Sequence, residues 1–252
     1  MIEVKNLTKR YGNRIALDNV SFKIRNRKIY GFLGPNGAGK STTMNIMAGC
    51  LAPTDGSVVI NGYDISEHPI DAKRQIGYLP EIPPLFPDMT PYEYLIFVAE
   101  AKGVDKEKVI PQVTEAMSLT GLTSVSNRII RNLSKGYQQR VGFAQAMLGN
   151  PDIVILDEPL VGLDPKQIME TRDLIKRMGQ TKTVIISSHI LAEISQICEH
   201  IIIIAEGKIV ADCELSDIDD AQKSLEELFL SLTGYEKASD SIQDDLDQGE
   251  EA

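Results

Sequence analysis

The sequence has 252 residues, of which 42% are hydrophobic and 25% charged, a composition typical of soluble globular proteins. Its formal net charge of −10 argues against nucleic acid as a partner, because phosphate binding requires a basic surface. The three scattered cysteines, Cys50, Cys198 and Cys213, include no CxxC pair, which argues against a disulfide framework and against structural zinc. No window approaches the roughly 20 apolar residues of a membrane span, and the charged first residues predict neither a signal peptide nor a transit peptide.

The first third of the chain predicts short strands, followed by a strand, a glycine-rich loop and a helix. The segments IEVKNL and VSFKI alternate in polarity and flank a turn at 11–13. KIYGFLG then predicts a strand, GPNGAGKS a loop and KSTTMNIMAG a helix. Further strands are predicted at SVVING, whose Asn-Gly dipeptide favours a turn, and at RQIGYLP.

The middle of the chain predicts a helical insert within an α/β fold. The proline-rich EIPPLFPDMTP disfavours regular structure until about Thr90, and residues 92–149 then predict helices. Strands return in DIVILDEP, TVIISSH and IIIIAEGKIVA. Because a run such as IVIL is apolar throughout, we expect a mostly parallel sheet that is covered on both faces.

These patterns predict a single domain over residues 1–235. Its core comprises 1–81 and 150–215, a helical subdomain covers 82–149, and QKSLEELFLSLTG predicts a C-terminal helix within 216–235. Residues 236–252 carry seven acidic residues and one lysine, which accounts for −6 of the net charge. This tail has few apolar residues and no periodicity, and we predict that it is disordered.

The segment GPNGAGKS (34–41) matches the pattern GxxxxGK[ST] between a predicted strand and a predicted helix. Its glycines allow backbone N–H groups to turn toward phosphate oxygens at a helix N-terminus. Lys40 would contact the β- and γ-phosphates of a nucleotide, and Ser41 would ligate Mg2+. Nucleotide contacts are predicted for Gly34, Pro35, Asn36, Gly37, Ala38, Gly39, Lys40, Ser41 and Thr42.

Two carboxylates follow the apolar run IVIL. Asp157 and Glu158 are predicted at the carboxyl end of a buried strand, where the ligands of open α/β sheets bind. Asp157 would hold Mg2+, directly or through water. Glu158 would orient or deprotonate an attacking water molecule as a general base.

The segment LSKGYQQR (133–140) opens a predicted helix, with Ser134 as a natural N-cap. It resembles the LSGGQ signature of ABC ATPases, and the other motifs of that family complete the set. Tyr11 matches the aromatic residue that stacks on adenine, Val161–Pro165 resembles the D-loop with Asp164, and His189 matches the switch histidine. The resemblance covers residues 1–215.

The resemblance implies a P-loop NTPase fold with a RecA-like, mostly parallel core sheet, an N-terminal antiparallel β part and the helical insert. It also implies a head-to-tail dimer that holds two ATP molecules between its subunits. Ser134, Lys135 and Gly136 of one subunit would then contact ATP bound to the other, and His189 would contact the γ-phosphate. Two simpler alternatives stay open: Ser134 caps its helix only, and Tyr11 is an ordinary turn residue.

Two positions depart from the family's usual pattern. Glu81 stands where a glutamine that contacts Mg2+ is usual. A carboxylate can still ligate Mg2+, but its charge disfavours a nearby γ-phosphate. In the signature, Lys135 and Tyr137 replace Gly and Gln, and Lys135 either adds positive charge near a phosphate or faces water. LSKGYQQR together with YLPE resembles the ATPase subunits of ABC-2-type exporters.

The predicted function is ATP binding and hydrolysis that powers a membrane transporter, at the cytoplasmic face of the cell membrane. The predicted partners are transmembrane permease subunits and a second copy of this chain. The permease would dock at the helical subdomain and the Glu81 loop, where Leu85, Phe86 and Met89 either contact it or pack internally. Two alternatives are an ATP-dependent switch with slow or no hydrolysis and an ABC ATPase that acts on nucleic acid or ribosomes, which the acidic charge disfavours.

Overall fold

The computed structural model describes residues 1–25, 27–219 and 225–234. The acidic tail predicted at 236–252 lies outside the described residues. In chain order the elements are β1 (Ile2–Tyr11), β2 (Arg14–Ile24), β3 (Ile29–Leu33), α1 (Lys40–Met47), β4 (Asp55–Ile60), β5 (Tyr63–Asp64), α2 (Pro69–Arg74), β6 (Ile76–Leu79), α3 (Pro91–Ala101), α4 (Lys106–Leu119), α5 (Lys135–Met147), β7 (Ile153–Asp157), α6 (Pro165–Gly179), β8 (Thr183–Ser188), α7 (Leu191–Ile194), β9 (His200–Ala205), β10 (Lys208–Glu214), α8 (Ser216–Asp219) and α9 (Leu225–Thr233).

Two sheets form the body of the chain. The first is antiparallel with the order β2-β1-β4-β5, and the second has the order β10-β9-β3-β8-β7-β6. In the second sheet, β9, β3, β8, β7 and β6 are parallel, and only the edge strand β10 runs antiparallel. The strands β3, β7 and β8 are buried along their whole length, as their apolar sequences require. The predicted combination of an antiparallel part and a mostly parallel sheet is confirmed.

The parallel sheet separates two apolar cores. Successive side chains of a strand point to opposite faces, and β7 shows this alternation. Ile153 and Ile155 join the core that lies toward the antiparallel sheet and α1. Val154 and Leu156 join the core on the other face, which is covered by α6. Because both faces are covered, the loops at the carboxyl ends of the strands are held on a rigid base.

A third apolar core belongs to the helices of the predicted insert. It is formed by α3, α4 and α5 and the segments between them. Thr90 begins α3 with a capping box, in which its hydroxyl accepts from the Glu93 N–H and the Glu93 carboxylate accepts from the Thr90 N–H. Gly103 and Gly121, with φ values of +73° and +69°, follow α3 and α4 and separate the helices.

The proline-rich segment before α3 divides its apolar side chains between this third core and the surface. Leu85 and Met89 are partly buried and pack against the third core. Phe86 is 44% exposed and lies against the rings of Tyr94 and Phe97, with centroid distances of 5.9 and 5.3 Å. Of the three candidate docking residues, only Phe86 therefore presents a large surface to solvent.

The C-terminal region contains two helices among its described residues, α8 and α9. Phe229 of α9 is buried in the core that α6 covers. The boundaries proposed for the domain and its parts stay predictions. No helix in the described ranges combines the length and the apolar character needed to cross a membrane.

Candidate functional site

The loop between β3 and α1 wraps tightly because two of its glycines leave no room for a side chain. A Cβ atom at Gly34 would lie 2.3 Å from the Ile204 carbonyl oxygen. At Gly39, where φ is +111°, a Cβ atom would lie 2.7 Å from Leu17 and 2.8 Å from the Ala16 carbonyl oxygen. The loop is thus held against β9 and β2, and its backbone leads directly into the N-terminus of α1.

Lys40, the first residue of α1, points back into this loop. Its ammonium donates to the carbonyl oxygens of Gly34 (2.8 Å) and Pro35 (3.2 Å) and lies 3.5 Å from a carboxylate oxygen of Glu158. The residue is only 6% exposed. A buried ammonium that is held by carbonyl groups and a carboxylate is a ready partner for an incoming anion.

Asp157 ends β7 directly beneath α1. Its Oδ1 accepts from the Ser187 hydroxyl (2.5 Å) and from the Ser41 hydroxyl (3.2 Å). Burial raises the pKa of this carboxyl, and the negative charges of Glu158 and Glu81 raise it further, whereas the two hydroxyl hydrogen bonds lower it. A cation beside Asp157 would relieve this repulsion.

Glu158 is held in a strained turn after β7. Its φ of +48° places it in the left-handed region, which non-glycine residues rarely occupy, and its N–H donates to the Ser187 hydroxyl at 2.8 Å. His189 Nδ1 lies 3.1 Å from both carboxylate oxygens of Glu158. The residues after two neighbouring strands, β7 and β8, thus bring a carboxylate and an imidazole into contact.

These groups surround one cavity of about 500 Å³. Its lining includes most of the predicted nucleotide contacts together with Tyr11 and Glu81: Tyr11, Arg14, Ala16, Asn36, Gly37, Gly39, Lys40, Ser41, Thr42, Glu81, Glu158, Val161 and His189. The other predicted nucleotide contacts, Gly34, Pro35 and Ala38, are not among the lining residues. The carbonyl oxygens of Gly34 and Pro35 accept hydrogen bonds from the Lys40 ammonium, and Ala38 is buried. Asp157 lies under the cavity, joined to it through Ser41.

Tyr11 stands at the mouth of the cavity. It is 50% exposed and ends β1, where a two-residue turn pairs it with Arg14 at the start of β2. Lys9 lies 5.3 Å from the centre of its ring. A half-exposed ring at a cavity mouth offers a flat surface on which a planar base can stack.

The signature segment lies outside this cavity. Ser134 is the exposed N-cap of α5 and accepts from the Tyr137 N–H at 3.4 Å. Gly136 packs against the side chain of Gln167, which a Cβ atom at position 136 would approach within 2.5 Å. Asp164 caps α6 and accepts from the Gln167 N–H at 2.9 Å. The signature and Asp164 are therefore neighbours of each other and do not line the cavity, whereas Val161, at the start of the predicted D-loop, does line it.

The oxygen atoms near Asp157 fit a magnesium ion. Ser41 and Asp157 supply a hydroxyl and a carboxylate that already face each other, and Glu81 lines the same cavity. Mg2+ is bound through oxygen atoms, often one or two from the protein with others from substrate phosphates and water. These are the residues that would hold it beside a bound triphosphate.

Comparison with known proteins identifies the family of this chain. The model of the ABC transporter family matches residues 17–161. The lantibiotic transport ATP-binding protein SrtF of Streptococcus pyogenes is 37% identical over 94% of this chain and 99% of its own length. The chain belongs to the ABC transporter family. The bacitracin transport ATP-binding protein BcrA of Bacillus licheniformis is 36% identical over 92% of this chain and 75% of its own.

A solved ABC cassette agrees with the fold. It is the dimeric post-hydrolysis state of an ATP-binding cassette bound to ADP and Pi, with a TM-score of 0.77 and 28% identity over 85% of this chain and 99% of that one. The P-loop NTPase fold predicted for this ABC chain is confirmed by that likeness and by the two sheets.

Sequence reasoning missed Arg14 and Ser187 of this ABC site, and it named Val161 only as part of the predicted D-loop. Arg14 lines the cavity, and its guanidinium lies 3.7 Å from where a Cβ atom of Gly37 would be. The turn at 11–13 could have revealed it, because a two-residue hairpin turn sets the residues on either side of it opposite each other. Ser187 links Asp157 and Glu158, and its position at the end of TVIISS was a usable signal. The place of Val161 in the cavity lining had no signal in the sequence, because it depends on how the D-loop folds back.

Proposed function

We propose that this chain is the ATP-binding and ATP-hydrolysing subunit that powers a membrane transporter of the exporter class. The observation that carries the proposal is the contact between Glu158, Lys40 and His189 at one wall of a cavity bordered by the glycine-rich loop. In this arrangement a carboxylate that could act as a base, an ammonium that could bind phosphate and an imidazole lie within reach of one bound anion.

The chemistry follows from where these groups stand. ATP would replace the Lys40–Glu158 contact, because the ammonium then donates to β- and γ-phosphate oxygens instead of the carboxylate. Glu158 is thereby freed to accept a proton from a water molecule aligned with the γ-phosphate. His189 Nδ1 holds the carboxylate in place, and Nε2 remains as a candidate contact of the γ-phosphate. A bound Mg2+ would neutralise phosphate charge beside Ser41 and Asp157.

Two copies of the chain are needed to complete the site in this proposal. Ser134 and Lys135 are exposed at the start of α5, and neither is among the residues that line the cavity in their own chain. In a head-to-tail dimer, the N-terminus of α5 in one copy would meet the phosphates held by the other. The dimeric cassette among the structural relatives supports this arrangement.

Steady-state ATP hydrolysis tests the catalytic part. The wild-type chain should hydrolyse ATP with Mg2+, and Glu158→Gln should lower the rate by about 100- to 10,000-fold, the range for a lost general base. ATP affinity should not fall, because Gln keeps the shape and removes a charge that repels phosphate. ATP binding without hydrolysis by the wild type would instead favour the ATP-dependent switch.

The transporter role rests on the names of the relatives and on one exposed surface. Relatives are named for the transport of lantibiotics and bacitracin. Ile82, which is 83% exposed, lies with Phe86 at the edge of the helical subdomain beside Glu81. Exposed apolar side chains of this kind suit a loop of a membrane subunit.

Site-specific crosslinking tests this surface. In a Cys50→Ser background, Ile82→Cys in membranes of the source cells should crosslink to a protein with several membrane spans. Ile70→Cys is the matched control, because Ile70 is also exposed (67%) but lies on α2, away from the Glu81 loop. Equal yields from both positions, or crosslinks to soluble proteins only, would contradict the proposed partner.

A further inference from the structure

The two positions at which this chain departs from the usual ABC pattern lie in one groove. Glu81 and Lys135 both line a groove of about 700 Å³ between the loop after β6 and the start of α5. Glu81 and Val161 also line the nucleotide cavity, so the groove and the cavity adjoin. A charge in the groove is therefore close to the site where a triphosphate would bind.

The Lys135 side chain packs against the D-loop. Its ammonium lies 2.1 Å from where a Cβ atom of Gly162 would be, so it occupies the space that a side chain at position 162 would need. Gly162 has a φ of +73°, a conformation that suits glycine. The side chain is therefore folded over its own D-loop and does not extend away from the molecule.

The negative charges around Glu81 favour a cation at the position that the Lys135 ammonium occupies. Glu81 and Glu158 line the same cavity, and Asp157 is joined to that cavity through Ser41, so three carboxylates lie around one site. Lys40 is the buried cation of the cavity. The other cation of the groove, Arg131, is paired with Asp88 at 2.9 Å. In the described part of the chain, neither the Glu81 nor the Lys135 side chain has a hydrogen bond or an ion pair.

We propose that Lys135 is a positioning residue that offsets the charge of Glu81 within the same subunit. Its ammonium draws the Glu81 carboxylate toward the groove, which keeps that negative charge from repelling a triphosphate in the cavity. This role differs from a contact with ATP on a second subunit. The inference rests on the proposed use of the cavity for ATP.

A double-mutant cycle measured without metal tests the pair. The Kd of an N-methylanthraniloyl derivative of ATP is measured by fluorescence at low salt with EDTA, where the protein is dilute and no metal screens Glu81. Lys135→Met should raise this Kd about fivefold, the upper range for an exposed charge pair. In the Glu81→Gln background, the same substitution should change the Kd by less than about 1.5-fold.

Two controls separate charge from shape. Lys135→Arg keeps the charge and should bind the nucleotide as the wild type does. Arg131→Met removes a cation that lines the same groove but is already paired with Asp88, and it should leave the Kd unchanged. Thermal unfolding of every variant shows whether each remains folded. The Lys135→Met effect should also shrink as salt is added.

The outcomes are distinct. An equal loss of affinity in both backgrounds would mean that Lys135 acts on the nucleotide directly, and it would overturn the inference. No loss in either background would overturn it as well. Failure of the wild-type chain to bind the ATP derivative would overturn the proposed function and the inference with it, whereas an additive cycle would overturn the inference alone.

Discussion

The nucleotide cavity and the start of α5, which carries the signature, differ in how completely a single chain buries and fixes their side chains. Lys40, Asp157 and Glu158 are 6%, 2% and 7% exposed, and each is fixed by hydrogen bonds or a charged partner. Ser134 and Lys135, in contrast, are exposed, and neither lines the cavity. The cavity side is preorganised inside the chain, whereas the signature side is an exposed surface that, in the proposed dimer, would meet a ligand held by another copy.

This difference predicts two kinds of mutational effect. Changes on the cavity side should alter ATP binding by a single chain. Changes at Ser134 should leave that binding intact and alter only what requires two chains, whereas Lys135 should affect it weakly, through the charge of Glu81.

The largest effect should come from Lys40. In Lys40→Met, the cavity loses the buried ammonium that would bind the β- and γ-phosphates. A hydrogen bond to a charged group contributes about 1.5–3 kcal/mol, so ATP affinity measured by calorimetry should fall about 100-fold. Lys166→Met, at an exposed position of α6, is the control and should bind ATP normally. Near-normal affinity in Lys40→Met would contradict the proposal that ATP binds in this cavity.

Ser134→Arg should separate binding from hydrolysis. An arginine at this exposed N-cap would obstruct a second subunit, and hydrolysis should fall about 100-fold, as for a lost transition-state donor. ATP affinity should change by less than about twofold. Loss of the cap should cost about 1 kcal/mol of stability, which Ser134→Ala reproduces without the bulk. A matching loss of single-chain ATP affinity would show that the two regions are not separate.

Tyr11 offers an intermediate test on the cavity side. Tyr11→Ala should weaken ATP binding about tenfold, because stacking of a base on an aromatic ring contributes about 1–3 kcal/mol. Tyr11→Phe keeps the ring and should bind within about twofold of the wild type. If Tyr11→Ala binds as the wild type does, Tyr11 is an ordinary turn residue, the simpler alternative.

The smallest effect concerns Lys102, which holds the far end of the signature helix. Its ammonium donates to the carbonyl oxygens of Gln145 (2.7 Å) and Leu148 (3.1 Å), and burial lowers its pKa to about 8. Between pH 8 and about 10.5 the unfolded chain binds a proton that the folded chain does not, so stability should rise with pH. Denaturant unfolding from pH 8 to about 9.5 should show a gain of about 1 kcal/mol relative to Lys102→Met. Parallel curves for the two proteins would contradict this role.

Sequence patterns predicted the segments that form the cavity better than the side chains that reach it from neighbouring strands. The GPNGAGKS loop and the LDEP strand end were predictable because each joins an apolar strand to chemistry within a few residues. Ser187 and Arg14 come from strands that reach the site only through pairing of β8 with β7 and of β2 with β1. The shared groove of Glu81 and Lys135 depends on packing of the loop after β6 against the start of α5, which no local pattern records.

The central claim is that two chains close over ATP through the signature. Its most direct test is size-exclusion chromatography with light scattering of Glu158→Gln in ATP and Mg2+. This variant should elute as a dimer with one ATP per chain, and adding Ser134→Arg to it should return the protein to a monomer that still binds ATP. A monomer in the first experiment despite saturating ATP, or a dimer that persists with Ser134→Arg, would contradict the account.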